Sequence, residues 1–123
     1  LSYTLERKQF DTPIAGFQLT QAKLAEMGTQ IVNGHLLAWH LAQLKDAGTL
    51  TPIQVSLAKR NNCGQALEIA RTCRNMMGAN GIMDEYPPMR HAMNLESVYT
   101  YEGTHEVHTL AIGRALTGLS AFG

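Results

Sequence analysis

The chain has 123 residues, the length of one domain. Hydrophobic residues make up 45% and charged residues 16%, enough apolar material for a core and too little charge for a disordered segment. Ten basic and ten acidic residues cancel, so the balance gives no argument for nucleic acid or an anionic membrane, and any phosphate must be met by single arginines.

Residues 1–9, LSYTLERKQ, read as the end of a helix, which implies that the chain starts inside a longer protein. Phe10-Asp11-Thr12-Pro13 breaks it, because Pro13 donates no ladder hydrogen bond and biases Thr12 away from the α region. A second helix is expected over 17–47. Leu24, Met27, Ile31, Ala38 and Leu41 share one stripe, while Gly28 and Gly34 either weaken the helix or admit a closely packed neighbour. Gly48 stops it.

A third helix is expected over 52–78, with Thr51 as N-cap, Pro52 in the first turn and Gly78 as terminator. Its apolar stripe is Ala66, Ile69, Ala70, Cys73, Met76 and Met77. Residues 78–90, GANGIMDEYPPMR, read as a loop, given the Asn80-Gly81 turn signal and Pro87-Pro88. A short helix covers 89–97 and a last one 105–120, capped by Thr104 with Glu106 in its first turn. The last helix's expected stripe is Val107, Leu110, Ala111, Leu116 and Leu119. No strand-like alternation persists, so the expected class is all-α, an up-down helical bundle.

Cys63 and Cys73 lie ten apart on one expected helix, hence about 15 Å along its axis. That is beyond the roughly 7 Å a disulfide allows, so both are expected as free thiols in a reducing, intracellular setting. No run approaches the roughly 20 apolar residues of a membrane span, and no signal-peptide pattern opens the chain.

Chemistry concentrates in Tyr101-Glu102-Gly103-Thr104. Glu102 is a carboxylate held at a chain reversal, where it can point into a cleft. A general base is useful there if the cleft is partly dry. Taken alone, it is more often an ordinary exposed glutamate. The small residues Gly78-Ala79-Asn80-Gly81 let a ligand approach backbone, although a plain C-cap reads the same way. Arg7, with Gln9 and Gln18 nearby, suits a phosphate contact or a solvated helix end. His105 and His108 share a helix face and His35 and His40 do not. Without HExxH or CxxC, no metal site is expected. The methionines at helical spacing read as core.

Together and in this order, these signals resemble the C-terminal helical domain of the acyl-CoA dehydrogenases. The likeness runs through Glu6-Arg7-Lys8-Gln9-Phe10, Gln18, Met77-Gly78-Ala79-Asn80-Gly81 and Tyr101-Glu102-Gly103-Thr104. Within that family the chain is most similar to the glutaryl-CoA dehydrogenase branch, through Lys59-Arg60-Asn61-Asn62-Cys63-Gly64, Arg90-His91-Ala92-Met93-Asn94-Leu95-Glu96, Thr104-His105-Glu106 and Gly113-Arg114-Ala115-Leu116-Thr117-Gly118.

The resemblance implies FAD as cofactor and an acyl-CoA as substrate. It implies an electron-transferring flavoprotein as acceptor, a homotetramer, and a home in bacterial cytoplasm or mitochondrial matrix. It implies that Glu102 takes the α-proton while Tyr101 and Gly103 contact substrate. Arg7, Gln9, Phe10, Gln18, Gly78, Ala79, Asn80, Gly81, Thr104 and Phe122 then contact flavin cofactor, Arg7 at the pyrophosphate of a neighbouring subunit's FAD. An N-terminal helical domain and a middle β-domain are implied outside these residues, so the piece alone is expected to be inactive. Asp11 and Ala79 depart from the family pattern, each standing where a glycine is usual, which puts FAD affinity in question more than mechanism. The residues themselves leave open a dehydrogenase of another short or branched acyl-CoA, or a helical oligomerisation module without catalysis.

Overall fold

A computed structural model describes residues 1–121. Its five helices are α1 (Ser2–Glu6), α2 (Gln18–Asp46), α3 (Pro52–Met76), α4 (Pro88–Thr100) and α5 (His105–Thr117). The all-α expectation holds, with one small addition. The first helix ends at Glu6, and Lys8–Gln9 (β1) pairs antiparallel with Thr12–Pro13 (β2) across a two-residue turn. Phe10 and Asp11 take φ of 50° and 59° there, the double left-handed geometry of a tight hairpin turn. That geometry explains why a glycine is at home at position 11: an L-residue there is strained, and aspartate is one of the few that tolerate it.

The helix ends are set by local chemistry. Thr51 Oγ1 accepts from the Gln54 amide at 3.4 Å, and the Gln54 side chain accepts from the Thr51 amide at 2.8 Å, a reciprocal capping box with Pro52 in the first turn. At the end of α2, Thr49 N donates to Leu44 O at 2.9 Å and Gly48 N to Lys45 O at 3.0 Å, with Gly48 at φ 69°. The expected loop 78–90 contains a 3-10 turn over Gly78–Ile82, and α4 is longer than the expected 89–97. The last helix stops at Thr117, with Gly118 as its left-handed cap, rather than at 120.

Helix α3 is the central leg, packed against α2, α4 and α5. Contacts fix the directions. Met27 meets Cys73, with sulfurs 3.6 Å apart, and Gly34 meets Asn62, so α2 runs antiparallel to α3. Arg71 pairs with Glu96 and Gly64 lies beside Tyr99, so α4 is also antiparallel to α3. Gly64 lies against His105, and Ser56 bonds His108, so α5 continues in the same direction. Helices α4 and α5 therefore form one leg, interrupted at residues 101–104. The bundle has three long legs, up, down and up, and the third is broken in the middle.

The core follows α3. Leu67, at 2% exposure, is the most buried large side chain, joined by Ala58, Ala70, Met27 and Ile14. Gly34 serves close packing: a Cβ there would sit 3.3 Å from the Asn62 side chain, which donates to Gly34 O at 3.0 Å. Gly28 does not, since nothing lies within 4 Å of its Cβ position.

Two expected stripes, and the expected place of the methionines, need correction. On α2, Ile31 and Ala38 face outward; Leu24, Met27, Gln30, Gly34, Leu37, Leu41 and Leu44 are the positions turned inward. Their spacing of 3 or 4 marks the seam against α3. Val107, Leu110 and Leu116 of α5 are exposed, as is Leu119 beyond its end. The positions turned inward are His105, His108, Ala111, Ile112 and Gly113, so Ala111 alone of the expected stripe holds, and the first turns meet α3 through histidine rings. Met27 is core as expected, but Met83, Met89 and Met93 are surface residues, carried on the segment after α3 and on α4.

Candidate active site

The break in the third leg positions Glu102. Tyr101 is the C-cap of α4 and Thr104 the N-cap of α5, accepting from Val107 N at 3.2 Å. Between them Glu102 takes φ 53° and Gly103 φ 95°. Glycine adopts such a conformation freely, whereas a glutamate pays about 1–2 kcal/mol for it. Gly103 also has no room for a side chain, because a Cβ would lie 2.8 Å from His108 Nε2. Glu102 is exposed in this chain.

Lys59, on α3, reaches this turn. Its ammonium donates to Tyr101 O at 2.6 Å and also to Gly103 O. Beneath the turn, His108 Nδ1 lies 3.1 Å from Ser56 Oγ. Beside it, the His105 ring stacks on Tyr99 with centroids 4.5 Å apart and planes 9° from parallel. The histidines thus serve packing; no group of three or more metal-ligating side chains occurs among the described residues. Glu106, in the first turn of α5, is held below the usual carboxylate range by its own backbone amide, then by the Thr104 hydroxyl and by nearby His105. Lys59 stood in the sequence only as part of a likeness. Nothing in the spacing links it to residues 42 and 44 positions later, since that contact exists only once α4 and α5 lie along α3.

The second group of candidate residues lies at the other end of α3. A groove of about 420 Å³ is lined by Tyr3, Arg7, Gln9, Lys23 and Gly78-Ala79-Asn80, among others. The fold therefore gathers five of the expected cofactor residues: Arg7, Gln9, Gly78, Ala79 and Asn80. Asn80 Nδ2 donates to Tyr3 Oη at 2.9 Å, and Tyr3 Oη donates to Met77 O at 3.3 Å, tying α1 to the segment after α3. Lys23 is an addition that the sequence reading missed; it lies on α2 just over one turn beyond Gln18, and only the fold brings it to the same groove as Arg7.

Other expected residues lie elsewhere. Gly81 is buried behind the groove wall, where a Cβ would come within 2.0 Å of Arg74 O. Gln18 opens α2 at an exposed position and is not part of the groove lining. Phe10 is 91% exposed at the hairpin tip. Thr104 belongs with Glu102, and Phe122 lies outside the described residues. Asp11, exposed at the hairpin tip, is not among the residues that line the groove.

The two groups are far apart. From Lys59 to Met76 along α3 is 76 − 59 = 17 residues, about 25 Å at the helical rise. Cys63 and Cys73 are both free thiols, as expected, and burial pushes the Cys73 thiol up. No helix among the described residues is long and apolar enough to cross a membrane.

In structure the chain is similar to a glutaryl-CoA dehydrogenase from Mycobacterium smegmatis, with a TM-score of 0.96 and 62% identity, covering 99% of this chain and 32% of that one. A glutaryl-CoA dehydrogenase from the same organism, solved in complex with FADH2, matches with a TM-score of 0.96 and 54% identity, again over 99% and 32%. A probable short/branched chain specific acyl-CoA dehydrogenase from Dictyostelium discoideum is 33% identical over 116 residues, which is 94% of this chain and 28% of that protein. The chain thus spans about a third of the length of the proteins it matches. The family model for the acyl-CoA dehydrogenase C-terminal domain matches residues 1–117, and the chain belongs to the acyl-CoA dehydrogenase family.

Proposed function

We propose that this chain is the C-terminal helical domain of an FAD-dependent acyl-CoA dehydrogenase that converts glutaryl-CoA to crotonyl-CoA and CO₂. The observation that carries the proposal is the break in the third helical leg, which presents a single exposed carboxylate, Glu102, on a left-handed turn braced from α3. Identities of 62% and 54% to two glutaryl-CoA dehydrogenases support the choice of substrate. The relative from Dictyostelium favours a second reading, a short or branched acyl-CoA, at 33% identity.

The residues present fit FAD. The groove lining holds two cations, Arg7 and Lys23, and no carboxylate, which suits a diphosphate. Arg7 offers a planar fork to phosphate oxygens and Gln9 and Asn80 offer amide groups. When bound, FAD accepts the hydride that leaves the β-carbon of the substrate.

The chain's own part is proton chemistry. Glu102 takes the α-proton of the thioester, a weak acid that yields only where the enolate is stabilised and water is kept out. After loss of CO₂ the protonated Glu102 returns its proton to the carbanion. Tyr101 and Gly103 flank the substrate, and Thr104 stands beside the reacting centre. Because Glu102 is exposed in this domain, the walls that dry it belong to parts of the enzyme beyond these residues.

The span of about 25 Å along α3 supports a further part of the reading: the groove of one subunit serves the FAD of a neighbour while Glu102 serves its own, in a homotetramer that passes electrons to an electron-transferring flavoprotein. In the full-length enzyme, Glu102→Gln is expected to keep FAD and lose dehydrogenation by more than about 10³-fold. Normal bleaching of the flavin by substrate in that variant defeats the assignment. Release of CO₂ from glutaryl-CoA by the unaltered enzyme separates the two substrate readings; its absence favours the short or branched acyl-CoA.

A further inference from the structure

We infer that Lys59 is the positioning residue for the base: by clamping the backbone on both sides of Glu102, it aims the carboxylate. The inference rests on the reading of Glu102 as base.

The last carbonyls of a helix have no partner within it, and they carry the negative end of the helix dipole. Tyr101 caps α4, whose last turn contains no basic residue. Lys59 supplies the missing cation from α3, donating to Tyr101 O at 2.6 Å. The same ammonium donates to Gly103 O. An ammonium has three donors and no fixed plane, so one group can bridge two carbonyls that face it from different directions.

The two carbonyls are one residue before and one after Glu102. Fixing both fixes the peptide planes that bound the turn, and with them the Cα–Cβ direction of Glu102. That direction needs support, because Glu102 and Gly103 occupy left-handed geometry with φ of 53° and 95°. His108, pressed under Gly103 and bonded to Ser56, closes the turn from below. Lys59 is half-buried, and the ion pairs among the described residues join Arg71 to Glu68 and Glu96, so its recorded bonds go to carbonyls and not to a carboxylate. A lysine spent on two backbone carbonyls next to a base is spent on geometry.

The test is Lys59→Met in the full-length flavoprotein, read by single-turnover bleaching of the flavin and by solvent exchange of the substrate α-proton. A base displaced by about 1 Å loses about 10² in rate. The expected result is a loss of about 100-fold in both rates, with KM changed less than about threefold and flavin absorbance retained. In a Glu102→Gln background, Lys59→Met is expected to add less than about twofold, since the two residues act as one unit.

An unchanged bleaching rate in Lys59→Met overturns the inference. So does a further tenfold loss in the Glu102→Gln background, or a KM that rises in step with the rate loss. Lys59→Gln keeps a shorter, uncharged amide donor and is expected to fall between the parent and Lys59→Met; if Lys59→Met does not accumulate as a folded flavoprotein, an unimpaired Lys59→Gln overturns the inference and a tenfold slower one upholds it. Normal α-proton exchange in Glu102→Gln alone sinks the base assignment and this inference with it. A dead Glu102→Gln beside a normal Lys59→Met sinks the inference alone.

Discussion

Two glycine-to-alanine substitutions should shift stability in opposite directions. Gly81 lies in the 3-10 turn that folds back onto the end of α3. A Cβ built there meets Arg74 O at 2.0 Å, its C at 2.8 Å and its Cα at 3.0 Å. Nonbonded heavy atoms rest comfortably at about 3.5 Å, so the overlap with the carbonyl oxygen is about 1.5 Å. All three contacts are backbone atoms of a helix, which cannot rotate aside as a side chain can. Gly81→Ala must therefore lift the turn from α3, at the upper end of overpacking costs, about 3 kcal/mol. Gly28, in the middle of α2, has nothing within 4 Å of its Cβ position. Gly28→Ala removes only the entropy cost of glycine in a helix and should gain about 0.5–1 kcal/mol. Urea unfolding of the full-length protein measures both. Gly78, Ala79 and Asn80 form the groove wall in front of Gly81, so Gly81→Ala should also weaken flavin retention, whereas Gly28→Ala should not. A Gly81→Ala protein within about 0.5 kcal/mol of the parent refutes the packing argument.

Two further outcomes follow from local chemistry. Asp11→Gly relieves a left-handed L-residue and should stabilise the protein by about 0.5–1 kcal/mol in the same unfolding assay. Because Asp11 does not line the groove, the affinity for FAD should stay within about twofold; a large gain in affinity would place the carboxylate's effect at the cofactor after all. The Cys73 thiol is pushed up by burial, so its stabilising contribution is whole below the ordinary thiol value, near pH 8.5, and is lost as pH rises through the higher folded value. Stability of the parent should therefore decline above about pH 8.5, with a shallower decline in Cys73→Ala. Alkylation of Cys73 should be slow in the native protein and fast in urea.

Legibility in the sequence depended on how local the signal was. Thr51, Pro52, Gly48 and Gly78 each act on their own helix end, and each sits where the sequence reading put it. The buried stripes were harder. Helix α2 carries Val32, Leu36 and Trp39 as well as Ile31 on its outer side, all exposed. A helix that is apolar on more than one side does not announce which side meets its neighbour. On α5 the inward side opens with His105 and His108, which a search for aliphatic periodicity passes over. At the start of the chain the sequence pattern predicts helix through Gln9 and a break at Phe10–Pro13, whereas Lys8–Gln9 is a strand paired with Thr12–Pro13; two paired residues are too few for alternation to register. Arg7 and Gln9 could be named from resemblance, but that they share a groove with Asn80, more than seventy positions later, follows from the fold, where the Asn80 amide donates to the Tyr3 hydroxyl.

The broken third leg ties these pieces together. A continuous helix from Pro88 to Thr117 would cover α3 equally well, and the break costs hydrogen bonds that a helix would make. The fold offsets that cost in three places: Thr104 caps the new N-terminus, Lys59 meets the carbonyls at the new C-terminus, and His108 fills the space that a side chain at Gly103 would need. Each device comes from α3 or α5, and all three converge on the residues either side of Glu102. Any such interruption leaves two bare helix ends, and here both are met. Beyond that, the Lys59 ammonium joins the carbonyls of Tyr101 and Gly103, so the turn is tied down on both sides of Glu102.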